Sequence, residues 1–172
     1  MNFLLDSAEG ARAMAELQSV LLVENDESQA SIARHALMEN VCNRVHCVAT
    51  VADLIAYLNG VAYYHDRREY PLPGVIVLDL NLPGVDGFDA LAWLRASPKF
   101  HRIPIIVTSS REKIEALHAA MQLGADGFIV SPFDVETFRQ VVEQLHLPVV
   151  FRSAGPATET LPNPETFPML TA

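Results

Sequence analysis

The sequence predicts an α/β fold in which one sheet of five parallel strands is covered by helices on both faces. Short apolar runs alternate five times with longer amphipathic segments along the chain. Most of these runs are rich in β-branched residues and lack polar alternation, which is typical of strands that are buried on both sides. Half of the 172 residues are hydrophobic, so the chain can bury a core of this kind.

Each strand is predicted where an apolar run ends in polar residues. The five runs are residues 20–23, 45–48, 75–78, 105–107 and 127–130. The second run is the weakest, and we interpret it as a buried strand. Cys42, His46 and Cys47 match no zinc-ligand spacing and no second ligand pair follows, so a metal site is the less favoured interpretation.

Helices are predicted where apolar side chains recur at spacings of three and four. These segments are residues 28–39, 51–58, 86–96, 111–123 and 134–145. Asp134 is a candidate N-cap, Gly124 a candidate C-cap, and Ser109 with Glu112 a candidate capping box for the fourth helix. Five βα units in succession imply right-handed crossovers, and the size fits the flavodoxin-like doubly wound fold with strand order 2-1-3-4-5.

Three segments fall outside this pattern. Residues 1–18 form an N-terminal extension, predicted to be an extra helix or a disordered arm. Residues 148–172 form a tail rich in proline, which excludes a regular helix or an inner strand and predicts an extended or mobile segment. Residues 59–73 are predicted to be a surface excursion between the second helix and the third strand. The domain itself is assigned to residues 19–147.

The charge balance excludes several function classes. The net charge is -9, with 21 acidic and 12 basic residues, which argues against nucleic acid or an anionic membrane as the main partner. No apolar run approaches the roughly 20 residues of a spanning helix, and no basic flank precedes the apolar start, so no signal peptide is expected. Two cysteines offer no disulfide framework, which favours a cytoplasmic protein.

Polar side chains follow four of the predicted strands. Glu24 and Asn25 follow the first strand, Asp79 the third, Thr108 the fourth and Ser131 the fifth. The carboxyl ends of parallel strands meet at one edge of the sheet, where ligands bind in this class of fold. Two carboxylates beside a backbone carbonyl can hold Mg²⁺, and a carboxylate next to such an ion can attack a phosphoryl group.

Four motifs give this edge a specific resemblance. Residues 20–26, 77–87, 105–109 and 124–133 resemble, in order, the four motifs of response-regulator receiver domains of two-component systems. The resemblance extends over residues 19–147. The segment inserted before the third strand and the long tail are most similar to the small stand-alone regulators that pair with bacterial phytochrome kinases.

The resemblance implies a role for each matching position. Asp79 would accept phosphate from a histidine kinase. Glu24, Asn25 and Asp79 would be Mg²⁺ ligands, together with the backbone carbonyl of Asn81. Magnesium is therefore the expected cofactor, although Asn25 weakens the site.

The same resemblance implies a switch. Thr108 would turn its hydroxyl toward the phosphoryl group, and Phe128 would move inward behind it, although a static core role for Phe128 is an equally open interpretation. Pro132 would follow a cis peptide bond. In the structural interpretation, Asp86 starts the third helix and Gly87 eases the turn before it.

Two positions depart from the family pattern. Asn25 replaces the second acid of the pocket, and Ser131 stands at the position of the lysine that pairs with the acyl phosphate. A pocket with three carboxylates and one ammonium has a formal charge of about -2, and Glu24 with Asp79 alone give about the same sum if Asp26 points away. We therefore interpret the two changes as compensating, so that Asn25→Asp alone would destabilise the fold or raise a pKa in the pocket.

Three functions compete at this point. The first is a stand-alone receiver in a phosphorelay, and the second is a pseudo-receiver that binds partners without phosphate. The third, a phosphatase with Asp79 as nucleophile, is disfavoured because Asn81 stands where it needs a second acid. An enzyme is not expected beyond self-phosphorylation and self-dephosphorylation.

The expected partners follow from the first function. They are a sensor histidine kinase, with the phytochrome type as one candidate, or a phosphotransfer protein. A homodimer through the face made by the fourth helix, fifth strand and fifth helix is also expected, whereas nucleic acid and membrane are not.

Overall fold

The computed structural model describes residues 17–84, 86–110 and 113–153. The predicted N-terminal extension, apart from its last two residues, and the tail beyond residue 153 lie outside the described residues. The domain boundaries at residues 18 and 147 therefore stay predictions. Among the described helices, none is both long and apolar enough to cross a membrane.

The sheet has five strands, and it confirms the predicted fold. The strands are β1 (Ser19–Val23), β2 (Val45–Val48), β3 (Pro73–Asp79), β4 (Ile105–Ser110) and β5 (Gly127–Ser131). All adjacent pairs are parallel, in the order β2-β1-β3-β4-β5. Every residue of β1 and β3 is buried, as expected for central strands with helices on both faces.

In the described part of the chain, five helices cover the sheet. They are α1 (Glu27–Asn40), α2 (Val51–Asn59), α3 (Gly87–Ala96), α4 (Ile114–Gln122) and α5 (Val135–Gln144). One core lies between the sheet and α2, α3 and α4, and the other lies between the sheet and α1 and α5. Successive residues of β1 alternate between the two cores, with Leu21 in the first and Leu22 in the second. This is why the central strands are apolar at every position.

The helix ends confirm two of the three predicted caps. Asp134 accepts a hydrogen bond from the Thr137 amide at 2.8 Å at the start of α5. Gly124 follows the end of α4 with a φ of 109°, the left-handed backbone that favours glycine. The capping box was wrong at Ser109, which is a fully buried residue of β4. Strand β4 runs three residues beyond its predicted end because it pairs with β5 as far as Ser110 and Ser131.

The segment between α2 and β3 is at the surface, as predicted, but two of its side chains hold it against the domain. A short 3-10 helix (Ala62–Tyr64) is followed by Tyr70, which is buried against His46 and Tyr57. Arg67 donates to the carbonyls of Tyr57, Leu58 and Tyr70. Of these three carbonyls, that of Leu58 lies in the last turn of α2, where a helix leaves carbonyls without an intrahelical partner.

Strand β2 is not the buried strand that we expected. It lies at the edge of the sheet, and only Val48 of its four residues is buried. Edge position exposes Cys47 and leaves His46 half-buried. In the part of the chain that the structure describes, no three His, Cys, Asp or Glu side chains are grouped to hold a metal ion.

Residues 148–153 are held against the body of the domain by Asn43. The Asn43 side chain donates to the carbonyls of Gln18 and Pro148 and accepts from the Val150 amide at 2.7 Å. Phe151 then forms an antiparallel bridge with Val41. Asn43 is 5% exposed, so a buried side-chain amide joins backbone groups at both ends of the domain.

We predict that Asn43→Ala lowers the free energy of unfolding by about 2 to 3 kcal/mol, because three backbone groups lose the hydrogen bonds that they share with a buried side chain. Asn59→Ala is the control, since Asn59 is exposed and bonds only to the Ile55 carbonyl, and should cost less than about 0.5 kcal/mol. Urea denaturation of both variants measures the difference. Equal stability of the two variants would show that Asn43 does not hold the two ends together.

Candidate functional site

Asp79 is the last residue of β3 and lies at the carboxyl edge of the sheet. It pairs in register with Thr108 of β4, and it is 7% exposed. The backbone of α3 approaches it closely at Gly87, where a Cβ atom would lie 2.7 Å from the Asp79 carbonyl oxygen and 2.6 Å from the Leu80 Cα. Gly87 is therefore required by close backbone contact, and not by a turn conformation as we expected. The φ of Gly87 is not positive, so its backbone conformation does not require a glycine.

Glu24 faces Asp79 from the end of β1. The two carboxyl groups are close enough to share a hydrogen bond when one of them is protonated. Burial raises the pKa of Glu24 to about 7, and the charges of Asp79 and Asp26 act in the same direction. Burial also raises the pKa of Asp79, although hydrogen bonds from Asn81 oppose this. Burial is thus the main reason why both carboxyl groups bind a proton more tightly than a solvated carboxyl group does.

The neighbours of Glu24 take different positions. Asp26 accepts from the Gln29 amide at 2.9 Å and caps α1, so its carboxylate points away from the pocket, as the charge count required. The Asp26 amide in turn donates to Glu24 Oε1 at 2.9 Å. Asn25 is exposed at the rim, and its predicted role as a metal ligand stays a prediction.

Asn81 connects Asp79 to a residue that sequence reasoning missed. Its backbone amide and its side-chain Nδ2 both donate to Asp79 Oδ1, at 3.1 and 3.3 Å. Its Oδ1 accepts from the Lys113 ammonium at 2.5 Å. Lys113 directly precedes α4 and lies beyond the end of β4, so it reaches the same edge of the sheet from a connection that carries no motif.

The fifth strand contributes Ser131 and Pro132. The peptide bond between them is cis, as predicted. Ser131 lines a small cavity together with Glu24 and Thr108, in agreement with a position inside the pocket. Phe128 is half-buried and packs against the core on the side of α2 to α4, which leaves both the static and the switching interpretation open.

The donor set fits a magnesium ion. Glu24 and Asp79 supply two facing carboxylates, and the backbone carbonyl of Asn81 and the amide of Asn25 are further hard oxygen donors at the same edge. Mg²⁺ prefers oxygen ligands, keeps several waters and is usually held by one or two carboxylates. A carboxyl group of this pair that holds a proton would lose it when such an ion binds.

The fold and the polar residues at this edge of the sheet are those of a receiver domain of two-component signalling. The family model of the response regulator receiver domain matches residues 20–143. The chain therefore belongs to the response-regulator receiver family.

Solved structures and curated relatives agree with this assignment. The bacteriophytochrome response regulator AtBRR is 29% identical, with a TM-score of 0.69, and the match covers 82% of this chain and 99% of that one. The phosphorylated cyanobacterial phytochrome response regulator RcpA is 26% identical, with a TM-score of 0.62 over 76% and 91%. Chemotaxis protein CheV2 of Helicobacter pylori is 32% identical over 79 residues, which are 44% of this chain but only 25% of that protein.

Lys113 changes the charge count made from sequence. That count placed no ammonium in the pocket, whereas the structure brings one to Asn81, next to Asp79. With Glu24 and Asp79 ionised, the sum is about -1 and not about -2. The idea that Asn25 compensates for Ser131 is therefore incomplete, because part of the compensation comes from Lys113. The one available signal was compositional, since the chain has only two lysines, at positions 99 and 113.

We predict that the stability of the protein falls between about pH 4.5 and pH 7 when no divalent cation is present. The folded pKa of Glu24 is raised from 4.5 to about 7, so in this window the folded state holds a proton that the unfolded state has lost. This contribution is complete below pH 4.5 and is lost as the pH rises through 7. Denaturation of wild type and Glu24→Gln across this range measures it as a difference. A constant difference would contradict the burial of this carboxyl group.

We also predict that Gly87→Ala destabilises the protein by about 1 to 3 kcal/mol, because the new Cβ would overlap backbone atoms that cannot move independently. Gly84→Ala is the control: a Cβ there meets nothing within 4 Å, and only the φ of 83° opposes it. Thermal denaturation of the two variants compares steric overlap with backbone strain. If Gly87→Ala is the milder change, α3 is not seated against the end of β3.

Proposed function

We propose that this protein is a stand-alone cytoplasmic response regulator that accepts a phosphoryl group on Asp79 and signals through protein contacts. The observation that carries this proposal is the facing of Glu24 and Asp79 at the carboxyl edge of a receiver sheet. A phosphoacceptor needs both a reactive carboxylate and a place for a divalent cation beside it, and this pair supplies both. The protein would then be no enzyme in the ordinary sense, since it modifies only itself.

In the proposed reaction, an Asp79 carboxylate oxygen attacks the phosphorus of a phosphohistidine. A P–O bond forms, the P–N bond breaks, and the imidazole leaves with the electron pair. The backbone amide and Nδ2 of Asn81 hold the carboxylate oxygen Oδ1 in position. A Mg²⁺ ion on Glu24 and Asp79 would supply neutralising charge for the phosphoryl oxygens. Proton loss from Glu24 prepares the pocket for this ion.

The burial of Thr108 beside Asp79 supports its proposed role as the hydroxyl that responds to the new charge. Thr108 is buried next to Asp79 in the sheet, so its hydroxyl has little competition from water. A phosphoryl group would offer it a charged acceptor, which is stronger than a neutral one. Phe128 lies on the neighbouring strand β5, in register with Val107, the residue before Thr108. In the proposal, its ring follows the movement of Thr108.

The proposed donor is a sensor histidine kinase or a phosphotransfer protein. Two of the similar structures are phytochrome-linked regulators, which favours a kinase of the phytochrome type. The proposed output is a homodimer through α4, β5 and α5. On α4, Leu117 is buried in the core, whereas Ile114 is 41% exposed, so an apolar side chain remains for such a contact.

The direct test is phosphorylation by a small phosphodonor such as acetyl phosphate. With Mg²⁺ present, we predict that wild type gains the mass of one phosphoryl group and that hydroxylamine removes it, as expected for an acyl phosphate. Asp79→Asn should gain nothing. Asp86→Asn is the matched control, because Asp86 is a nearby acid that only caps α3, and asparagine caps a helix equally well.

Two outcomes would contradict the proposal. If wild type gains no phosphoryl group and shows no thermal shift with millimolar beryllium fluoride and Mg²⁺, the chain is a pseudo-receiver that binds partners without phosphate. If Asp79→Asn is still phosphorylated, the acceptor is another residue.

A further inference from the structure

Lys113 stands out because lysine is rare in this chain. Only Lys99 and Lys113 occur among 172 residues. Both are exposed, and Lys99 lies in the loop after α3, with no hydrogen bond to the pocket among the described contacts. Lys113, in contrast, is bonded to Asn81, whose side chain is bonded to Asp79.

The Lys113 ammonium is separated from Asp79 by a single side chain, that of Asn81. Its bond to Asn81 Oδ1 fixes the position of the charge, while the side chain itself is exposed and free to extend further. Burial raises the pKa of Asp79, and the positive charge of Lys113 acts to lower it. Among the residues that the structure describes, Lys113 is the one basic side chain hydrogen-bonded to a residue that contacts Asp79.

The fifth strand cannot supply this charge. Ser131 occupies the family's lysine position, and its hydroxyl is short and neutral. A phosphoryl group on Asp79 would extend outward from the carboxylate and carry negative charge on three oxygens. Lysine has three rotatable donors on a flexible stem and binds such oxygens as a point charge. The flexible stem lets the ammonium exchange the neutral oxygen of Asn81 for a charged one.

We propose that Lys113 is the phosphoryl-binding cation of this receiver, acting from the start of α4 in place of a lysine at Ser131. This inference rests on the proposed phosphorylation of Asp79. When the phosphoryl group is present, the ammonium leaves Asn81 Oδ1 and pairs with a phosphoryl oxygen. Because Lys113 is the residue directly before α4, the movement acts on α4 rather than on β5 and α5.

The test uses beryllium fluoride with Mg²⁺ at pH 8, where Glu24 is ionised, and follows the amide signals of residues 79–81. We expect Lys113→Met to weaken beryllium fluoride binding about tenfold or more, the size of a lost charge-assisted bond. Lys113→Arg, which keeps the charge, should stay within about threefold of wild type. Lys99→Met is the matched control and should bind like wild type.

Binding of Mg²⁺ alone separates a binding role from a structural one. Removal of an ammonium near two carboxylates leaves Mg²⁺ affinity unchanged or raises it, because like charges repel. Lower beryllium fluoride affinity with undiminished Mg²⁺ affinity therefore supports the proposal.

Three results would overturn the proposal. Parallel losses of both affinities would show that Lys113 only supports the loop. Normal beryllium fluoride binding by Lys113→Met would overturn the role of Lys113 and leave the proposed function intact. If wild type and Lys99→Met also fail to bind, the proposed function and this inference fail together.

Discussion

The site depends on one constraint, which is that the carboxyl groups of Glu24 and Asp79 face each other. Parallel strands deliver both groups to one edge, and burial there raises the pKa of each. Without a cation, the pair can relieve its repulsion by holding a proton. The packing around the pair keeps Asp79 buried. Strand β3 is buried along its whole length, and Gly87 allows the backbone of α3 to pack closely against the end of that strand. In our proposal, a cation bound between the two carboxylates takes the place of this proton.

Charge near that pair is distributed differently from the family pattern. Asp26 is withdrawn to cap α1, Asn25 is neutral at the rim, and Ser131 removes the ammonium from β5. The ammonium of Lys113 reaches Asn81 from the connection between β4 and α4. The pocket thus keeps a positive charge near Asp79, but on a different element of the fold. In our proposal, the phosphoryl group therefore acts on α4 through Lys113, and not on β5 through a lysine at position 131.

The parts of this site that were predictable from sequence are those fixed by local pattern and strand ends. Glu24, Asp79 and Thr108 each follow an apolar run, so parallel topology alone brings them together. Lys113 was not predictable, because its place depends on the path of a connection and not on a periodic pattern. The capping box at Ser109 failed because tertiary pairing with β5 extends β4 past its apolar run. Asn43 was missed since a buried amide is explained only by its distant partners, Gln18, Pro148 and Val150.

The most direct test of the facing carboxylates is the proton release that accompanies Mg²⁺ binding. Calorimetric titration in buffers of different ionisation enthalpy counts the protons released per ion. Because the pKa of Glu24 is about 7 in the metal-free protein, the account predicts that Mg²⁺ displaces most of one proton at pH 6.5 and almost none at pH 9. It also predicts that Glu24→Gln abolishes the difference between the two pH values. Mg²⁺ binding without proton release at pH 6.5, or no binding at pH 9, would contradict a metal site built on Glu24 and Asp79.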